Sequence, residues 1–247
     1  MSDLISANML VLRRRRGLWW SALAIPSSLI VLMTVLASTD VIDLDGGRQF
    51  VEDSTLVLGF FLTLLAVLVG ARLGSEERAT GTLRYQLLTG VPRSRLFVAK
   101  LGALVTAGLA MTTVAIAVTT VSSFVVPVGA SETTGAGDVV SAAWGVLLPA
   151  LVYGSLAFGV GVLLGSTGPA ITVALVLNLI GIDLLYALTL IDDWFRHLVL
   201  DIGVDRLTVD EADDDTRVSL GAAIVMVLAW VGSFLGAGWM RLRTLEA

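Results

Sequence analysis

Apolar residues in this chain come in runs long enough to cross a lipid bilayer, and that limits its fold before anything else does. A bilayer core about 30 Å thick needs roughly 20 apolar residues at about 1.5 Å of helical rise each. Six stretches meet the requirement: residues 18–37, 55–71, 96–128, 139–165, 169–191 and 218–240. Backbone amides left unpaired in lipid are costly, so each stretch is expected to be a helix. The fold class that follows is all-α, a polytopic membrane protein of six transmembrane helices read as one domain over 1–247. Composition agrees, since charged residues make up only 15% of the chain and mean hydropathy is +0.88. Soluble domains carry about 25% charged residues.

Basic residues orient the spans, because short cytoplasmic loops collect Lys and Arg. Arg13 to Arg16 precede the first span. Arg72, Arg78, Arg84, Arg93, Arg95 and Lys100 lie between the second and third, and Arg241 and Arg243 follow the last. The alternate connections are acidic: Asp40, Asp43, Asp45, Glu52 and Asp53, then Glu132 and Asp138, then the run from Asp192 to Asp215. Six spans with both termini in the cytoplasm place the basic segments on one side of the cytoplasmic membrane. A basic lead before an apolar run also marks signal peptides. The run here exceeds the roughly 7–15 residues of a signal core, so it reads as an uncleaved span.

Absences narrow the chemistry. The chain has no Cys, which excludes disulfides, thiolate metal sites and Cys nucleophiles together. Its one His, His197, cannot build a multi-histidine metal site. No Gly-x-x-x-x-Gly-Lys-Ser/Thr phosphate loop occurs, so any ATP must be hydrolysed by a partner. An intramembrane protease needs a Ser–His pair, a zinc motif or two acids. His197 lies outside the spans, and Asp183 has no second acid within them. The chain is therefore expected to be no enzyme, with no cofactor and no nucleic-acid partner.

Between the second and third spans, Ser75 is suited to cap a helix with Glu76 and Glu77 in its first turn. Leu83, Leu87 and Leu88 then make an apolar stripe, and Gly90 and Pro92 stop it. Arg93, Arg95 and Lys100 follow where a new span enters, near anionic headgroups. On the residues alone this is a short amphipathic helix in a cytoplasmic loop. It is either a docking surface or a charged connector that only sets topology.

The same stretch resembles the first cytoplasmic loop of ABC transporter permeases of the type-two exporter class. Such loops carry an acidic residue, Gly-Thr, a Leu pair, a Pro/Ser/Arg turn and a Lys. Those positions here are Glu77, Gly81, Thr82, Leu87, Leu88, Pro92, Ser94, Arg95 and Lys100. The turn reads Gly-Val-Pro-Arg-Ser-Arg, where Pro-Val-Ser-Arg is commoner. The resemblance implies that residues 74–95 hold a coupling helix that docks into a separate ABC ATPase subunit. Glu77, Gly81, Thr82, Leu87, Leu88, Pro92 and Arg95 would be its coupling residues. It also implies two copies of the chain, a homodimer or a pair with a similar permease, working with two ATPases. Its layout adds an amphipathic interfacial helix over 1–17 and a re-entrant hairpin in the outer leaflet before the last span.

Other segments fit that layout. Leu4, Ile5, Met9 and Leu12 form an apolar stripe ahead of the arginines, as an interfacial helix would. Within the extracytoplasmic segment 191–217, Trp194, Phe195, Leu198, Val199 and Ile202 are spaced for one helix face, with Trp194 as an interface anchor. Asp210 to Asp215 then read as a solvated loop. Asp183 is the ionisable residue well inside a span, about 21 Å along the fifth at 1.5 Å per residue. Such residues default to a functional role, and Asn178 is placed to share its cavity, so the two are candidates for a translocation pathway. Gly161 with Gly165, and Gly232 with Gly236, are Gly-x-x-x-Gly pairs expected to pack helices within the chain. The alternatives are an ion-coupled carrier and a non-transporting scaffold. A single buried Asp and no clear internal repeat count against the carrier.

Overall fold

Lipid gives helices little hydrophobic reason to associate, so they pack where small residues let backbones touch. The computed structural model of the chain, which describes residues 16–39, 47–82, 90–124 and 134–208, residues 218–244, and Ser6, Leu10 and Leu88, follows that rule. Its long helices are α1 (Arg16–Ser38), α2 (Gly47–Ala79), α3 (Arg93–Ser123) and α4 (Ala136–Leu164). Next come α5 (Thr167–Val176), a π-helical turn (Leu177–Gly181) and α6 (Ile182–Leu188), which together form one continuous helical stretch. A 3-10 turn (Asp193–His197), α7 (Leu200–Thr208) and α8 (Leu220–Thr244) complete the order. No strand is present among the described residues. Among the described residues, five stretches are long and apolar enough to cross a membrane: Arg48–Ala79, Arg93–Ser123, Ala136–Leu164, Thr167–Leu188 and Leu220–Thr244. Within α1, the apolar stretch Pro26–Ala37 is shorter. The protein is an all-helical, multi-pass membrane protein.

The centre of the bundle is a glycine seam between α2 and α4. A β-carbon added at Gly70 would lie 2.0 Å from the Gly154 carbonyl oxygen, and one at Gly74 would lie 2.3 Å from that of Phe158. From the other side, Gly161 would meet the Ala71 carbonyl oxygen at 2.3 Å. Only glycine permits this approach. α8 then lies on α4, where a β-carbon at Gly159 would lie 2.6 Å from the Phe234 carbonyl oxygen and one at Gly238 would lie 3.3 Å from that of Gly159. Phe97 of α3 closes the corner, edge-on to Phe158 at 5.1 Å and to Trp239 at 5.5 Å. α1 rests on α3 and α2, and α5 lies along α2 and α4.

Several sequence expectations change. Ser75 does not cap a new helix. It is fully buried inside α2, its hydroxyl bonded back to the Ala71 carbonyl at 2.8 Å. At 33 residues, α2 extends about 50 Å and so projects beyond a bilayer core. Nor do residues 194–202 make one helical face, because the 3-10 turn gives way to α7 at Leu200. Trp194 is exposed, whereas Val199 and Leu200 are buried. The glycine pairs also separate. Gly161 packs, Gly165 ends α4 with φ +65°, and Gly232 and Gly236 face open space within this chain. Leu4, Ile5, Met9 and Leu12 of the 1–17 segment, and Asp210 to Asp215, fall outside the described residues.

Candidate functional site

The loop between α2 and α3 leaves the bundle and returns to it through two left-handed glycines. Gly81, at φ +73°, turns the chain out of α2. The Thr82 hydroxyl then pairs with that of Thr80 at 2.9 Å and reaches the Glu77 carbonyl at 3.4 Å. Gly90, at φ +78°, turns it back. Pro92 follows with φ −66°, and its carbonyl accepts from the amides of Arg95 and Leu96, which starts α3. Left-handed backbone is costly for any residue with a β-carbon, so both glycines have a local reason to be there.

The predicted coupling residues divide into two groups. Gly81, Thr82, Leu88, Pro92 and Arg95 are exposed, and Leu88 is 80% exposed. Leu87 lies outside the described residues. Glu77 turns inward, where its Oε2 lies 2.8 Å from Lys100 Nζ. This is an ion pair whose angles do not suit a hydrogen bond at that oxygen. Lys100, expected among lipid headgroups, is instead buried. The pair borders a crevice of about 350 Å³ where α2, α3, α4 and α8 meet, with Gly74, Phe97, Phe158 and Leu242 among its walls.

Two arginines tie the loop's flanks to distant helix ends. Arg78 donates through Nη1 to the Val162 carbonyl at 3.1 Å, in the last turn of α4. A β-carbon at Gly165 would lie 2.3 Å from the Arg78 guanidinium carbon, so the glycine makes room for the contact. Arg93 donates to the carbonyls of Leu242 and Arg243 at 3.2 and 2.9 Å, at the end of α8. A cation on the open carbonyls of a helix terminus is favourable both as a hydrogen bond and against the helix dipole. The sequence marks these arginines only as basic; their partners are 84 and about 150 positions away.

Deeper in the bundle, Asn178 sits on the π-helical turn and shares a crevice of about 210 Å³ with Tyr153, Val67 and Leu156. Tyr153 and Asn178 each lie about 16 Å from the α4–α5 turn at 1.5 Å per residue. The Tyr153 hydroxyl donates to the Asp201 carboxylate in the first turn of α7. Sequence reasoning missed this pair, although a tyrosine inside an apolar span usually finds a partner for its hydroxyl. Asp183 falls in α6, with its side chain outside the described part. Asp205, one turn beyond Asp201, has its pKa raised to about 6, first by burial and then by the Asp201 charge. Among the described residues, no group of His, Asp and Glu is arranged to hold a metal ion.

The sequence model of a family described as ABC-2 family transporter protein matches residues 4–182, well over half of the chain. This protein belongs to the ABC-2 transporter family. Membership makes it a permease subunit of an ABC transporter, a transport component that is not itself catalytic, and implies association with an ABC ATPase subunit. The match includes the α2–α3 loop, α4 and the π-helical turn. No curated protein matches the chain.

Proposed function

We propose that this ABC-2 permease is the membrane subunit of an ATP-driven exporter in the cytoplasmic membrane. In this reading it has six spans, both termini cytoplasmic, and works as a pair with two copies of a separate ATPase. The surface from Thr80 to Arg95 receives the ATPase. One observation carries the reading: exposed Gly81, Thr82, Leu88, Pro92 and Arg95 stand on a base fixed by the Glu77–Lys100 pair and the two arginine caps. A partner that pushes on such a surface moves helices and not only a slack loop. Glu77 thus contributes by fixing the base.

Asn178 and Asp183 are proposed to border the translocation path, with the π-helical turn presenting Asn178 toward Tyr153. The contact of Asp201 with Tyr153, about halfway along α4, supports a segment between the fifth and last spans that dips into the outer leaflet. α1 supports the first span. Affinity purification of the tagged chain from gently solubilised native membranes tests the assignment. An ABC ATPase is expected at equal stoichiometry, and recovery of the chain alone would sink the reading.

A further inference from the structure

The two arginines that flank the exposed loop hold two particular helices, and those same helices hold α7. Arg78 binds the end of α4 through Val162, and Arg93 binds the end of α8 through Leu242 and Arg243. In the half of the bundle remote from the loop, Trp144 of α4 donates to the Leu207 carbonyl at 2.9 Å, and Tyr153 of α4 donates to Asp201. Trp230 of α8 donates to the Leu198 carbonyl at 2.9 Å, just before α7, and Gly203 of α7 lies against Met226. Between these ends α4 and α8 touch backbone to backbone at Gly159 and Phe234.

We propose that Arg78 and Arg93 are positioning residues that carry displacement of the ATPase-docking loop into α4 and α8, and through them to α7. The proposal rests on the coupling reading above. Packed interiors transmit strain because they contain little free space to absorb it. A seam in which carbonyl oxygens occupy the places of missing β-carbons has none to spare. Without the arginines, the loop would join these two helices through its covalent neighbours α2 and α3 and the contacts along them. With them, a push at the loop acts directly on the last carbonyls of α4 and α8. Arg93 Nη1 is shared between two successive carbonyls of α8, so the contact holds the helix end at two points.

A coupling route is established by a measured response at its far end and not by position alone, so the test reads the α7 region itself. The chain has no Cys, so Val140→Cys and Leu198→Cys, both at exposed positions, can carry a pair of spin labels. Their distance distribution is measured in lipid nanodiscs on the complex with its co-purified ATPase, without nucleotide and with ATP plus vanadate. The labelled parent is expected to show a nucleotide-dependent shift. With Arg78→Ala and Arg93→Ala together the shift should be lost while the ATPase is still recovered with the chain. Lys at both positions, which retains charge and a donor, should recover part of it. A full shift in the paired Ala variant overturns the proposal. So does loss of the shift together with loss of the ATPase, which would make the arginines structural. If the paired variant does not fold, the single variants decide, and an unchanged shift in both is fatal. Failure of the parent chain to bring down any ATPase removes the coupling reading and this proposal with it.

Discussion

Glu77 and Lys100 form a 2.8 Å ion pair across the base of the α2–α3 loop, their side chains only 14% and 10% exposed. Removing one partner leaves the other charge stranded among Phe97, Phe158 and Leu242. Breaking a buried pair this way costs about 3 kcal/mol or more, whereas replacing both partners with apolar residues is often close to neutral. Glu77→Ala should therefore lower the thermal midpoint in detergent markedly. Glu77→Leu combined with Lys100→Met should unfold closer to the parent than either single variant. Additive losses in that cycle would show that the pair contributes nothing as a pair.

The glycines separate by what surrounds them. At Gly70 a new methyl group would meet a carbonyl oxygen at 2.0 Å, and backbone on both sides of the seam prevents relief. Gly70→Ala should destabilise by about 3 kcal/mol or prevent assembly of the bundle, as overpacking a rigid site does. At Gly232 and Gly236 nothing lies within 4 Å, so Ala there should be neutral or gain about 0.5–1 kcal/mol from helix propensity. Melting curves of the three variants make the comparison. A large loss at Gly236→Ala would mean that this face meets another chain, contrary to the expectation for the single subunit.

This contrast shows what was legible in the sequence. Hydropathy marks where helices cross, because lipid must be met by apolar side chains all along each span, and the observed helices start and stop near those runs except α2, which runs well past the 55–71 run at both ends. Hydropathy carries no signal for which glycine meets which backbone. Ser75, next to Gly74, reads as a helix cap. Both are helical because Gly74 fits under the Phe158 carbonyl and Ser75 satisfies its own hydroxyl on Ala71. Lys100 read as a headgroup residue because its partner, Glu77, is more than twenty positions away across the loop. Arg48, a base among the acidic residues at the start of α2, carries no signal of its own in the sequence. It pairs with Glu52 at 2.9 Å and approaches Asp138, so its charge is offset on the spot. The turns of the α2–α3 loop were readable because turn chemistry is local: Gly81, Gly90 and Pro92 sit where left-handed or fixed backbone is needed.

Asp205 makes α7 sensitive to pH. Its pKa is raised from 3.8 to about 6 by burial and then by Asp201, so the folded chain holds this proton more tightly than the unfolded chain does. The resulting stabilisation is fully present below about 3.8 and is lost as pH rises through about 6. Asp205 is only partly covered and keeps some of its surface open to water, so solvent screens part of the effect. Asp205→Asn should flatten the dependence of the thermal midpoint on pH between about 4 and 7, because it removes one titrating proton. An identical profile in the variant would show that another group titrates there.

The indole donors of Trp144 and Trp230 should govern how often α7 opens. Each Trp→Phe change removes one hydrogen bond to a backbone carbonyl, worth about 1 kcal/mol, and keeps most of the apolar surface. Amide exchange across Leu200–Thr208 should speed up about fivefold for either variant, with little change in α2 or α4. Uniform acceleration over all helices would instead point to a loss of global stability.

Docking and anchoring can be separated at the loop. Leu88 is exposed and makes no packing contribution to the bundle core, so Leu88→Asp should leave the thermal midpoint within about 0.5 kcal/mol of the parent. If the ATPase seats on this surface, an apolar contact at its centre is worth about 2 kcal/mol or more, and a carboxylate placed there should reduce ATPase recovery at least tenfold. Glu77→Gln is the opposite case, disturbing the base of the loop while leaving the exposed residues chemically intact. It should lower stability while retaining more of the ATPase than Leu88→Asp does. Equal ATPase recovery from Leu88→Asp and the parent would move the docking surface away from this loop, whatever the fate of the Glu77 variant.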